Sequence, residues 1–128
     1  VVAVGTAVTT TGQRLPFAAS SANGGLTWTE SALPVPAGQA SVTALTAAGG
    51  TFTATGTFGR TPGHQDVVVW ISANGSAWTA ATPTGQGLAG PGIQAITALS
   101  ASGSMMIGVG FTATPAGEEP VFWQSPVR

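Results

Sequence analysis

The chain repeats itself at intervals of roughly fifty residues. Three stretches align: VGTAVTTTGQRLPFAASSANGGLTW from Val4, TGTFGRTPGHQDVVVWISANGSAW from Thr55 and VGFTATPAGEEPVFWQS from Val109. Gly5, Gly56 and Gly110 correspond, 51 and 54 residues apart, and Phe17, Val68 and Val121 correspond at 51 and 53. Asn23 and Asn74, each inside a Ser-Ala-Asn-Gly tetrapeptide, are 51 apart; VTALTAAGGTFTATGTF from Val42 returns as ITALSASGSMMIGVGF from Ile96 with an offset of 54. A period of this length belongs to supersecondary units that bury their apolar faces against one another rather than alone.

Each unit reads as strands. Val42 to Ala48 ends at a Gly49-Gly50 turn, Thr51 to Phe58 is β-branched and aromatic, and its counterpart Met105 to Thr112 is apolar at almost every position. Asp66 to Ser72 contains VVVWI, an unbroken apolar run, which predicts a strand covered on both faces. A short fourth strand starts near Trp78, and a Pro/Gly-rich linker from Pro83 to Gly92 leads onward. The Ala are interleaved with Thr, Ser and Gly, which leaves no stretch suited to a helix. The fold class is therefore all-β, with three strands before Ala32, four from Val42 to Ala81 and three from Ala95 to Ser125, in units spanning 1–31, 42–82 and 95–128. Four-stranded antiparallel units covered on both faces fit propeller-type blades, about two and a half of them; the alternative is a β-sandwich with similar hairpins.

The first unit holds Ser21-Ala22-Asn23-Gly24-Gly25-Leu26-Thr27-Trp28 and the second Ser72-Ala73-Asn74-Gly75-Ser76-Ala77-Trp78. Ser21 and Asn23, with Gly25, Thr27 and Trp28, resemble position for position the Asp-box of BNR-repeat propellers, Ser-x-Asp-x-Gly-x-Thr-Trp, with Asn in place of Asp. The second box is one residue shorter and keeps Ser72, Asn74, Gly75 and Trp78 without the Thr. The resemblance, to the blades of sialidases, related exo-acting glycoside hydrolases, sortilin-like receptors and photosystem assembly factors, implies a turn between the third and fourth strands of a blade, on the outer rim. The residues assign the box a structural role by themselves. An Asn oxygen accepts from amides of its own turn, Gly adopts positive φ, a Ser hydroxyl bonds locally, and the Trp folds an apolar plate over the hairpin. The third unit reaches Trp123-Gln124-Ser125 and continues Pro126-Val127-Arg128 where a box would begin.

Charge and chemistry narrow the function. Only 5% of residues are charged, with a formal net charge of -1. Arg14, Arg60 and Arg128 make no basic patch for nucleic acid or anionic lipid, and no apolar run approaches a membrane helix. With no Cys there is no disulfide or thiolate site. A sialidase-like site would need a Tyr nucleophile, and there is no Tyr. Glycoside hydrolysis by acid and base needs two carboxylates about 5 to 9 Å apart. Glu118 and Glu119 are adjacent, while Asp66 and Glu119 hold comparable places in successive units and are the pair to examine. His64 is the only histidine, which leaves no metal site and no cofactor to expect. Arg14, Arg60 and His64, read as turn or loop residues, with Asp66 near the start of the VVVWI strand and Glu119 at the comparable place in the third unit, form a candidate binding surface.

The composition, rich in Ala, Thr, Ser and Gly and free of Lys, resembles that of exported proteins of high-GC bacteria, although no signal peptide opens the sequence. The expected function is a noncatalytic module, secreted or on the cell surface, with a structural or a glycan- or protein-recognition role. The alternative is part of a glycoside hydrolase whose catalytic residues lie elsewhere. Bare edges and faces at the two end units call for partners, either copies of this chain or the remainder of a longer polypeptide.

Overall fold

The computed structural model describes residues 1–83, 85 and 87–126, so Arg128 and the Val127-Arg128 end of the third unit's box position lie outside the described residues. Every regular element among them is a strand: β1 (Val2–Val8), β2 (Arg14–Ser20), β3 (Thr29–Ala32), β4 (Gln39–Ala48), β5 (Thr51–Thr61), β6 (His64–Ser72), β7 (Thr79–Ala81), β8 (Ile93–Ser102), β9 (Met105–Thr114) and β10 (Gly117–Pro126). The ten strands expected from the sequence are present, and they fall into sheets of three and seven strands. No helix among the described residues is long and apolar enough to cross a membrane.

Strands β1, β2 and β3 form one antiparallel sheet in chain order. Strands β4 to β7 pair antiparallel in succession, as do β8 to β10. A single parallel pairing, Gln65 with Ile93, joins the last two groups into one seven-stranded sheet of mixed topology. The molecule is thus all-β with two sheets.

The hairpins follow from local chemistry. Ala48 pairs with Thr51 across Gly49 and Gly50, whose φ angles of 59° and 77° fit a two-residue turn of the type that matches strand twist. Ser102 pairs with Met105 in the same way, with Gly103 at φ 59°. A bulge recurs too: the register of β4 shifts between Val42 and Ala44, and that of β8 between Ile96 and Ala98. The extra residue is Thr both times. Thr43 donates through its hydroxyl to the Ile96 carbonyl, and Thr97 donates to the Val109 carbonyl at 3.2 Å. The bulge brings the first strand of the group against a glycine of the second. A Cβ on Gly56 would run into the Ser41 carbonyl and the Trp70 ring, and one on Gly110 into the Ala95 carbonyl.

The core lies between the first sheet and β4 to β7. Ala18, Leu33, Ala40, Ala54, Val68, Trp70 and Trp78 form its buried cluster, with Val2, Val4, Leu45 and Phe52 packed around it. Alternation along β1 and β2 sends Val2, Val4 and Ala18 to this face. Thr6 ties the two groups by accepting the Val42 amide at 2.9 Å, and Trp70 Nε1 donates to the Pro34 carbonyl at 2.7 Å. The VVVWI run behaves as its pattern predicts: Val68 and Trp70 are fully buried on one face, and on the other Val67 is fully buried with Val69 and Ile71 half-buried.

Candidate functional site

The two Asn-Gly turns are built alike. Each begins with a serine at or just past the end of a strand, Ser21 after β2 and Ser72 closing β6. In the first, the Ser21 hydroxyl donates to Asn23 Oδ1 at 2.9 Å and accepts the Gly25 amide at 2.8 Å, while Asn23 Oδ1 also accepts the Thr27 amide at 2.9 Å. Asn23 Nδ2 donates to Thr27 Oγ1 at 2.7 Å. In the second, the Ser72 hydroxyl donates to Asn74 Oδ1 at 3.2 Å and accepts the Gly75 amide at 2.8 Å. Asn74 Oδ1 takes the Ser76 and Ala77 amides, both at 2.9 Å. Deleting one residue therefore leaves the oxygen with amide donors, which explains why the shorter box survives. Each indole closes its turn identically, Trp28 Nε1 on the Gly25 carbonyl and Trp78 Nε1 on the Gly75 carbonyl, both at 3.1 Å. Most of these polar atoms are engaged within their own turn, the bonding that holds a tight hairpin connection together.

Their surroundings differ. Trp78 is 8% exposed and belongs to the core, whereas Trp28 is 45% exposed. Gly75 lies directly against Val2 of β1, and a Cβ at Gly24 would meet nothing within 4 Å. The second turn is covered by the first sheet; the first turn is open.

The charged candidates do not converge. Arg14 opens β2, Arg60 is near the end of β5 and His64 opens β6, so all three stand in strands beside hairpin turns rather than in loops. The loop assignment fails because β5 and β6 run on beyond Phe58 to a short turn at Pro62-Gly63. The Arg14 amide is held by Gln39 Oε1 at 2.8 Å, and Arg60 and His64 are exposed. Asp66 accepts the Gly90 amide at 3.1 Å, which pins the linker. Glu119, in β10 opposite Thr112, is exposed. In the sheet order β8 and β9 stand between the strand of Asp66 and that of Glu119, and the two carboxylates share neither a hydrogen-bond partner nor a lined cavity among the described residues. Among the described residues no group of three His, Cys, Asp or Glu could hold a metal ion.

Two buried amides escaped the sequence. Gln65 and Gln94 donate to the Thr61 and Pro91 carbonyls at 2.6 and 2.7 Å, and each leaves an enclosed Oε1 without a partner. They brace the chain where β6 meets β8. Neither sits in an alternating pattern that would have marked it.

The remaining surfaces are apolar. Met105, Ile107, Val109 and Phe122 share one face of β9 and β10 and are all exposed, Phe122 at 74%. Between β4 to β7 and β8 to β10 lies a cleft of about 310 Å³, walled by Thr53, Ile71, Leu99, Met106 and Trp123. No protein-family model, curated protein or solved structure matches the chain.

Proposed function

We propose that this protein is a noncatalytic, exported assembly and recognition module made of propeller-type units of the BNR, Asp-box kind, with the β4 to β7 meander as one complete unit and its neighbours as partial ones. The supporting observation is the unequal burial of two indoles in the same turn, 8% exposed at Trp78 and 45% at Trp28. In this reading every unit offers one face to the unit before it and the opposite face to the unit after it. Ala54, Val68 and Trp70 occupy the first kind of face in the middle unit, where they are fully buried; of their equivalents in the first unit Ala3 is exposed, and Phe17, whose ring lies over Gly5, and Ala19 are only half-buried. Thr53, Thr55 and Val69 occupy the second kind, and their equivalents Ile107, Val109 and Phe122 are exposed. The two open faces are thus the two halves of one interface. Further units of this repeat fit them, and a solution of the 128-residue chain supplies such units only as other copies of itself.

Light scattering on the purified chain tests this. The wild type is expected to self-associate, and Phe122→Glu to return it to a monomer with an unchanged circular dichroism spectrum. A wild type that stays monomeric at every accessible concentration would refute the stacking role.

A further inference from the structure

The cleft and an unpaired strand edge lie together, and the repeat identifies what fits them. The walls of the cleft are the equivalents of the core cluster one unit earlier: Thr53 for Val2, Thr55 for Val4, Met106 for Phe52, Gly108 for Ala54, Leu99 for Leu45 and Trp123 for Trp70. The earlier site is filled by the Trp78 ring, delivered by the Asn74 turn. The later site has no such ring among the described residues. The strand beside it is also lacking. β3 pairs with β2 and β7 pairs with β6, but β10 pairs only with β9, which leaves the edge at Phe122, Trp123 and Gln124 without a neighbour among the described residues.

We propose that the β10 edge and the adjoining cleft form a docking site for an extended segment of a partner polypeptide that carries a tryptophan ahead of three or four strand residues. The strand residues pair with Phe122 to Gln124 as Thr79 to Ala81 pair with Val69 to Ile71, and the indole enters the cleft. Addition of a strand to a free edge supplies backbone hydrogen bonds, and the side-chain pocket supplies selectivity. The volume suits a ring: an apolar cavity of about 150 Å³ already takes benzene, and this one is larger, at about 310 Å³. Ser125, the equivalent of Ser72, stands where its hydroxyl meets the amides of an incoming Asn-Gly turn, as Ser72 does for Gly75. The inference rests on the repeat-unit reading but not on stacking of the end faces.

The probe is a synthetic peptide with the sequence of residues 73–82, titrated into the whole chain by calorimetry and followed by hydrogen exchange. Saturable binding with new protection of β10 amides is expected. A peptide carrying Trp78→Ala should bind at least roughly thirtyfold more weakly, the loss of one buried ring. Gly108→Leu in the protein, which fills the cleft from the Ile96 and Leu99 side, should abolish binding; Met106→Trp serves if that variant does not fold. Absence of binding, equal binding of the Trp78→Ala peptide, or binding undiminished in the filled variant overturns the proposal. The light-scattering result bears on the end faces alone, so either proposal can fail while the other stands.

Discussion

Replacing the two box tryptophans separately measures how much a unit depends on its neighbour. The rings make equivalent bonds at 3.1 Å, Trp28 to the Gly25 carbonyl and Trp78 to the Gly75 carbonyl, so the local contribution is common to both variants. What differs is coverage. Trp78 is 8% exposed among Ala18, Val68 and Trp70, and truncation to Ala leaves a hole that rigid strands cannot close. Such a change costs about 3 to 5 kcal/mol. Trp28 is 45% exposed, so about half of a ring's burial is lost, on the order of 1 kcal/mol, and a further ~0.5 to 1 kcal/mol goes with the hydrogen bond. The expected gap between the variants is then about 1 to 3.5 kcal/mol. Urea unfolding followed by far-ultraviolet circular dichroism, at a concentration where the protein is monomeric, reads both values without relying on the removed fluorophores. Equal losses would refute the idea that an adjacent unit, and not the turn itself, secures the ring.

The other expectations are briefer. Asn74→Ala removes the acceptor for the Ser76 and Ala77 amides and should destabilise by roughly 1 to 2 kcal/mol, while Asn74→Asp keeps an oxygen there and should stay within about 0.5 kcal/mol; chemical denaturation separates the two. Gly56→Ala and Gly110→Ala force a methyl into a carbonyl of the bulged strand and should each cost about 3 kcal/mol or prevent folding, whereas Gly5→Ala, which meets only the Phe17 ring at 3.0 Å, should cost less than about 1.5 kcal/mol; soluble yield and thermal melts decide. His64→Ala, exposed at the start of β6, should change stability by less than about 0.5 kcal/mol, and a larger loss in the same melts would give that side chain a structural role it lacks here.

Short-range chemistry was the legible part of the sequence. The Gly49-Gly50 turn, the β-branched runs and the Ser-Ala-Asn-Gly boxes each act within a few residues, and the structure places each where those residues predict. The glycines at 5, 56 and 110 were legible as a repeat but not as a requirement. The need arises from the bulges at Thr43 and Thr97, which push one strand onto the next, and no residue of either bulge advertises it. Strand ends near Arg60 and His64 were missed because pairing continues past an irregularity between Phe58 and Thr61, a property of two strands together.

Coverage is the property that local sequence cannot carry in a stacked repeat. VVVWI in β6 and the apolar run of β9 follow the same rule, that continuous hydrophobicity asks for two covered faces. The first has both, since the first sheet packs on one side and β8 to β10 on the other. The second has one, and Ile107 and Val109 stay in water at a cost of order 1 kcal/mol each relative to burial. β9 is the second strand of its group, as β5 is, and its outer face is open where both faces of β6 are covered. Continuous hydrophobicity therefore marks a strand without telling how many of its faces the fold covers, just as two copies of one box do not tell that Trp78 is covered and Trp28 is half-exposed.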